Sequence, residues 1–317
     1  MRRPDDEELV FNIVWTGTVF TYLRRFVASQ IARSRARFRF VANGCPGEQI
    51  ELLERFAARH PDRVVEVLDV SSEMIAHGVA LDRVRAQRDD GHWFCLIDPD
   101  IKANAPFVSP FADLLADGYA AVTSGKEVWS DDNLIPVDHP GVAGEFFFDR
   151  KGFVFGSPHL ALYDRAALDD TTARWGVGLG SAGPDLTEAA KARMAAMGHE
   201  YIVYDTAKIV NALLQADGHR LVHRDLPQLI HIGGLSHYLS PPGGYITLDD
   251  GEVAPDFARW GITDRYHVTK FTALTLRRLQ HDGSVPRIPA GIEPAMARKL
   301  ELVQREMADL FATYAEW

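Results

Sequence analysis

Only two cysteines, Cys45 and Cys95, occur in the 317 residues. So few exclude a disulfide framework, and they lack any zinc-type spacing. No apolar run approaches the ~20 residues that a membrane-spanning helix needs. The charged start Met1-Arg2-Arg3-Pro4-Asp5-Asp6-Glu7-Glu8 is followed by no signal-type apolar stretch, so a cytoplasmic location is expected. An excess of positive charge is missing as well: 34 Lys and Arg against 44 Asp and Glu leave a net charge of −10. Such a chain has no global field to attract nucleic acid, and Arg24-Arg25 and Arg33 to Arg39 read as solvated faces of an early helix and its exit. Internal repeats and low-complexity tracts are absent too.

What remains is an ordinary globular composition, 46% hydrophobic and 25% charged, long enough for one large domain or two small ones. The first hundred residues alternate. Apolar runs predict strands over 11–15, 38–42, 64–70 and 93–97, and helical periodicity predicts helices over 22–34, 48–59 and 78–88. Strands separated by helices of this length imply an α/β fold with a mostly parallel sheet flanked by helices. Ligands of such sheets bind beyond the carboxyl ends of the strands. That rule gathers Thr16-Gly17, Asn43-Gly44, the segment near Asp69 and Asp98-Pro99-Asp100 on one rim. Further on, the pattern predicts a helix over 111–115, strands over 120–124 and 153–163, and helices over 186–197 and 207–217. The stretch from Ser130 to Gly152, rich in Asp, Pro, Gly and Phe, reads as a long loop over the rim.

Asp98-Pro99-Asp100 is the sharpest chemical signal. Two carboxylates two residues apart, just past a buried strand, can converge on one hard cation, and Mg²⁺ or Mn²⁺ typically bridges such carboxylates to substrate phosphates. An ordinary turn after a strand is the plainer reading of the tripeptide alone. The second signal is His231-Ile232-Gly233-Gly234-Leu235-Ser236-His237, in which His231 can reach a metal or phosphate while the glycines let the backbone approach closely. The third is a pair of acids. Asp205 and Asp185 each offer a general base for an acceptor hydroxyl, and each also suits a helix N-cap, with Glu188 completing a capping box for Asp185. Lys126, Arg150 and Lys151 read as solvated surface within reach of a phosphate. Trp129 and Phe146 to Phe148 read as anchors for the loop.

The order of these features resembles a GT-A-fold nucleotide-sugar glycosyltransferase, of the broad class related to family 2. In that class an N-terminal strand and loop, a helix with a Gly and a polar residue four further on, and an Asp-x-Asp after a strand bind nucleotide and metal. Here those are similar to Thr16-Gly17, His77-Gly78 with Asp82, and Asp98-Pro99-Asp100, and the resemblance spans roughly residues 10 to 240. Gly156 to Arg165 looks like the segment shaping the sugar and acceptor site, and His231-Ile-Gly-Gly-Leu-Ser236 like a late loop that closes on metal or diphosphate. The chain departs from the pattern at Tyr204, where a Glu is usual, and at His77, where an Asn is usual.

The resemblance implies a Rossmann-like GT-A domain over residues 1–245, with a nucleotide-sugar half over 1–125 and an acceptor half over 126–245, followed by a C-terminal helical extension over 246–317. It implies transfer of a sugar from a nucleoside diphosphate sugar to a hydroxyl or amine acceptor. Asp98, Asp100 and His231 would hold Mn²⁺ or Mg²⁺; Thr16, Gly17, Gly78, Asp82 and Asp98 would bind the donor; and Asp205 or Asp185 would be the catalytic base. A sugar nucleotidyltransferase is the alternative enzyme, although the Gly-rich, Lys/Arg-containing loop of that class is not present at Thr16-Gly17-Thr18-Val19-Phe20. A non-catalytic carbohydrate-binding protein on the same fold would not need two carboxylates and a His on one rim. In the C-terminal segment, Met296, Leu300, Val303, Met307, Leu310, Tyr314 and Trp317 recur in steps of four and three, a seam that packs on the catalytic domain or joins a homodimer.

Overall fold

A computed structural model describes residues 2–130, 146–149, 151–199, 204–239 and 263–317. Its first part follows the alternation: β1 (Val10–Thr16), α1 (Phe20–Ala32), β2 (Arg37–Asn43), α2 (Gly47–Arg59), β3 (Val64–Ser71), α3 (His77–Gln87) and β4 (Trp93–Ile97). Then come β5 (Ile101–Ala103), α4 (Val108–Ala116), β6 (Ala121–Ser124), β7 (Leu160–Asp164), α5 (Arg165–Trp175), α6 (Glu188–Ala196) and α7 (Lys208–Ala216). The chain continues with β8 (Leu221–His223), β9 (Leu229–His231), α8 (Leu235–Leu239), α9 (Thr263–His281) and α10 (Pro294–Thr313).

Seven strands form one sheet in the order β3-β2-β1-β4-β7-β6-β8. All neighbours run parallel except β7, which is antiparallel to both β4 and β6. The central strands are apolar on both faces, as a sheet covered on both sides requires. Phe11, Ile13 and Trp15 of β1 enter one core with Phe38, Phe40, Leu23 and Phe26, and Val14 enters the other with Val41, Leu81, Phe94 and Leu96. A separate two-stranded sheet pairs β5 with β9, setting Ile101 opposite His231.

Three sequence expectations change. The strand expected over 153–163 begins only at Leu160. Before it, side chains of α7 take up backbone groups that a ladder would otherwise use: Lys208 donates to the Gly156 carbonyl, Asn211 to that of Phe155 and Gln215 to that of Val154. Helix α5 has no counterpart in the sequence reading, because its buried stripe of Ala167, Leu168, Thr171 and Thr172 is only half apolar. It is instead defined by its ends: the Asp164 carboxylate accepts from the Ala167 N–H, and Gly176 closes the helix at φ 62°. The cap of α6 is Thr187, whose hydroxyl accepts from the Ala190 N–H, so Asp185 caps nothing and lies exposed in a short turn ahead of it. Of the expected 130–152 loop, most lies outside the described residues; Trp129 and Phe147 are buried, as anchors would be.

The C-terminal seam packs within the chain. Leu300, Val303, Met307, Leu310 and Tyr314 are buried in the core that also holds Phe271 and Leu276 of α9, and Trp317 stacks on His60 at the end of α2. Lys102 of β5, 2% exposed, reaches Glu306 Oε2 at 2.8 Å and Asp309 Oδ2 at 2.6 Å. Those buried seam side chains therefore pack inside the protomer, on the catalytic domain. Among the described residues no helix is long and apolar enough to cross a membrane.

Candidate active site and metal centre

The rim beyond the carboxyl ends of the parallel strands carries the acidic turn. Asp98 follows β4 directly, and its N–H donates to the His159 carbonyl at 2.7 Å, extending the β4–β7 pairing by one step. Gln30, buried in α1, donates from Nε2 to the carbonyls of both Asp98 and Ile101 and so pins the two ends of the turn. The short β5–β9 ladder brings His231 alongside: the Ile232 N–H donates to the Asp100 carbonyl at 3.3 Å.

Three residues singled out in the sequence therefore meet. His231 is fully buried, and its Nδ1 lies 2.6 Å from the Gly125 carbonyl oxygen. A carbonyl only accepts, so Nδ1 carries the proton. Nε2 then faces Asp100 Oδ1 at 3.3 Å and Asp98 Oδ2 at 3.9 Å, without the alignment of a hydrogen bond to any group among the described residues. A buried nitrogen lone pair aimed at two carboxylates is stable only with a proton or a cation between them. Burial pushes the Asp100 carboxyl up, but the charges of His231 and His159 outweigh it and leave Asp100 below its ordinary value.

Two residues that the sequence reading missed complete the cluster. His159, just before β7, sets Nδ1 3.0 Å from Asp98 Oδ2 and Nε2 2.7 Å from Glu127 Oε1. Burial works against the charged ring, but Glu127 and Asp98 more than offset it and hold the His159 pKa well above the ordinary histidine value. Glu127, 2% exposed, stands just past β6 and is kept below its ordinary value by the same two histidines, against its burial. The His159 and His231 rings lie 4.4 Å apart, and one nitrogen from each falls with an Asp98 oxygen within 4.8 Å of one another. The double glycine after His231 now has a cause. A Cβ on Gly233 would come 2.7 Å from Glu127 Cγ, and both Gly233 and Gly234 have φ near +76°.

The other expected site residues are placed as follows. Thr16 ends β1 and Gly17 opens the turn after it, both half-buried, with Gly17 at φ 49°. His77 opens α3 with Nε2 3.9 Å from Asp98 Oδ1. A Cβ on Gly78 would meet the Leu179 carbonyl at 2.4 Å, so this glycine is set by close packing of α3 on the 178–180 loop. The Asp82 carboxylate accepts from the N–H groups of Leu179 at 3.0 Å and Gly180 at 3.1 Å. Asp205 is not the cap of α7; its carboxylate accepts from the Thr206 N–H, and it sits two residues before Ala207, which has φ 63°. Among the described residues Ala207 is the one non-glycine at positive φ, a strain that needs support from its surroundings. Burial and then Arg265 hold the His237 pKa below the ordinary histidine value, against the charges of Asp100 and Asp205. Arg150 lies outside the described residues, and Lys151 is exposed.

No protein-family model matches this sequence, and neither does any curated protein sequence. Solved structures do resemble it. A mannosyltransferase from Pyrobaculum calidifontis in complex with GDP-Man and Mn²⁺ aligns over 98% of this chain and 77% of its own, at 14% identity and a TM-score of 0.42. The structure of GalNAc-T7 with UDP, GalNAc and Mn²⁺ aligns over 96% and 57%, at 12% identity and 0.46. A 4-diphosphocytidyl-2C-methyl-D-erythritol synthase from Anaerococcus prevotii aligns over 73% and 94%, at 10% identity and 0.40. At these scores neither family nor reaction follows from the likeness, and both have to be argued from the residues of this chain.

Proposed function

We propose that the protein is a metal-dependent glycosyltransferase of the GT-A kind, moving a sugar from a nucleoside diphosphate sugar to a hydroxyl or amine acceptor. The observation that carries this reading is the buried His231 Nε2, which has no hydrogen-bond partner among the described residues and faces Asp98 and Asp100 just past the central strand β4. Those three residues fit a divalent cation in charge: the two carboxylates suit Mn²⁺ or Mg²⁺, and the imidazole favours Mn²⁺ of the two. A cation bound there neutralises negative charge growing on a departing diphosphate. Thr16 and Gly17, half-buried at the end of β1 and the start of the turn after it, are the proposed contacts to the nucleotide. Asp98 would meet the donor's phosphates through that cation. Asp205, held before the strained backbone of Ala207, takes the acceptor proton; the exposed Asp185 has no comparable support.

A screen of nucleoside diphosphate sugars for Mn²⁺-dependent thermal stabilisation tests the reading. At least one donor should stabilise the wild type only with Mn²⁺, and Asp100→Asn should abolish both that shift and Mn²⁺-dependent donor hydrolysis. Asp205→Asn should keep the shift yet lose on the order of 10²-fold in transfer rate, the usual worth of a general base. Metal-dependent hydrolysis surviving in Asp100→Asn would overturn the assignment.

A further inference from the structure

From the far sides of the two histidines, we infer that His159 is a cation ligand in its own right, and that the centre is a two-histidine, carboxylate site selecting a first-row transition ion over Mg²⁺. This rests on the reading of the rim as a divalent-cation site. Histidines that ligate metals nearly always donate their other ring N–H to a carboxylate or a backbone carbonyl, which fixes the ring and its tautomer. Both histidines here have that outer partner. The far nitrogen of His231 is met by the Gly125 carbonyl at 2.6 Å, and the far nitrogen of His159 by Glu127 Oε1 at 2.7 Å.

Both partners come from the one stretch that follows β6, so a single loop braces the two rings. On the near side, a nitrogen of each ring and an oxygen of Asp98 lie within 4.8 Å of one another. The fully buried His231 Nε2, without a hydrogen-bond partner among the described residues, is aimed into that space. Glu127 is buried against the Gly233 backbone with Oε1 on the His159 ring. Two imidazoles beside carboxylates suit Mn²⁺, Fe²⁺, Co²⁺ or Zn²⁺. Mg²⁺ prefers an all-oxygen octahedron with retained waters.

Counting the nitrogens on bound Mn²⁺ tests this, with Mn²⁺ alone as the probe and the full chain as the protein. Loss of the free-ion signal in electron paramagnetic resonance gives affinity, and electron spin-echo modulation from ¹⁴N counts imidazoles. The wild type should show two imidazoles, and a large excess of Mg²⁺ should fail to displace the ion. His159→Gln should show one imidazole and bind at least ~10-fold more weakly. Glu127→Gln should keep two, with affinity reduced about 10- to 100-fold as for a lost outer partner. The wild-type spectrum decides the matter even if a variant fails to fold. A single imidazole in the wild type, or an unchanged spectrum in folded His159→Gln, overturns this inference and leaves the Asp98, Asp100 and His231 site standing. Absence of Mn²⁺ binding by the wild type overturns both.

Discussion

Replacing Asp82 separates two roles for one carboxylate. Its pattern in the sequence suits a donor contact, whereas in the fold it accepts from the N–H groups of Leu179 and Gly180 and lies 3.6 Å from Arg85. Hydrogen bonds to a charged partner contribute about 1.5 to 3 kcal/mol each, and donors left without an acceptor cost more when water cannot replace it. Asp82 is half-buried, and a Cβ on Gly178 would lie 2.3 Å from its Oδ2, so the loop sits tightly on the carboxylate. Asp82→Ala removes both acceptors and should cost roughly 3 kcal/mol. Asp82→Asn keeps one acceptor oxygen and should cost about half of that. The assay is urea unfolding followed by fluorescence and circular dichroism, in which both variants shift the midpoint to lower urea with the slope unchanged. Donor affinity, measured below the unfolding transition, should fall by far less than stability does. An Asp82→Ala protein as stable as the wild type but unable to bind a donor would refute this reasoning and return Asp82 to the nucleotide.

Lys102→Met keeps the apolar stem but removes the buried charge, leaving Glu306 facing an interior that no longer compensates it. A loss of about 3 kcal/mol in urea unfolding and faster proteolysis at α10 are expected, since breaking a buried pair from one side is costly; a loss below ~1 kcal/mol would count against the account. Glu66 supplies a pH signature. Its bonds to Arg88, with those to Arg39, outweigh burial and bring its pKa down to about 2. A depressed carboxyl stabilises fully above its ordinary pKa near 4.5 and loses that contribution as pH falls towards 2. Between pH 6 and pH 3 the wild type should therefore lose on the order of 1 to 2 kcal/mol more than Glu66→Gln in urea titrations; parallel losses would sink the assignment.

The alternation of apolar strands and amphipathic helices made the first hundred residues legible, because burial on both faces of a parallel sheet writes itself as continuous runs such as Phe11 to Trp15. The acidic turn was legible for the same reason, since it sits where such a run stops. Legibility ended where tertiary contacts replace periodicity. The three-residue strands β5 and β9, which bring His231 to Asp100, are too short to carry a period. Residues 153–159 look like a strand in composition, but α7 side chains claim the backbone groups of Val154, Phe155 and Gly156. Thr187 takes the cap that the Asp185 and Glu188 spacing suggested for another residue. Glu127 follows β6 onto the rim but belongs to no motif, and His159 was hidden for a different reason. The rule of looking past the ends of strands presumes strand direction, and nothing in Leu160-Ala-Leu-Tyr163 tells the reader which way it runs.

That reversed strand sets where this protein can change. Every parallel strand delivers to the rim the residues that follow it, so substitutions after β1, β2, β4 or β6 alter the rim while those before them alter its opposite edge. At β7 the geography inverts. Insertions ahead of Leu160 enter the neighbourhood of the acidic turn, whereas the helix after Asp164 begins on the far edge, so changes at its first turn start away from the chemistry. A library built to retune the reactive rim while sparing the scaffold would therefore diversify the approach to β7 and leave its exit alone.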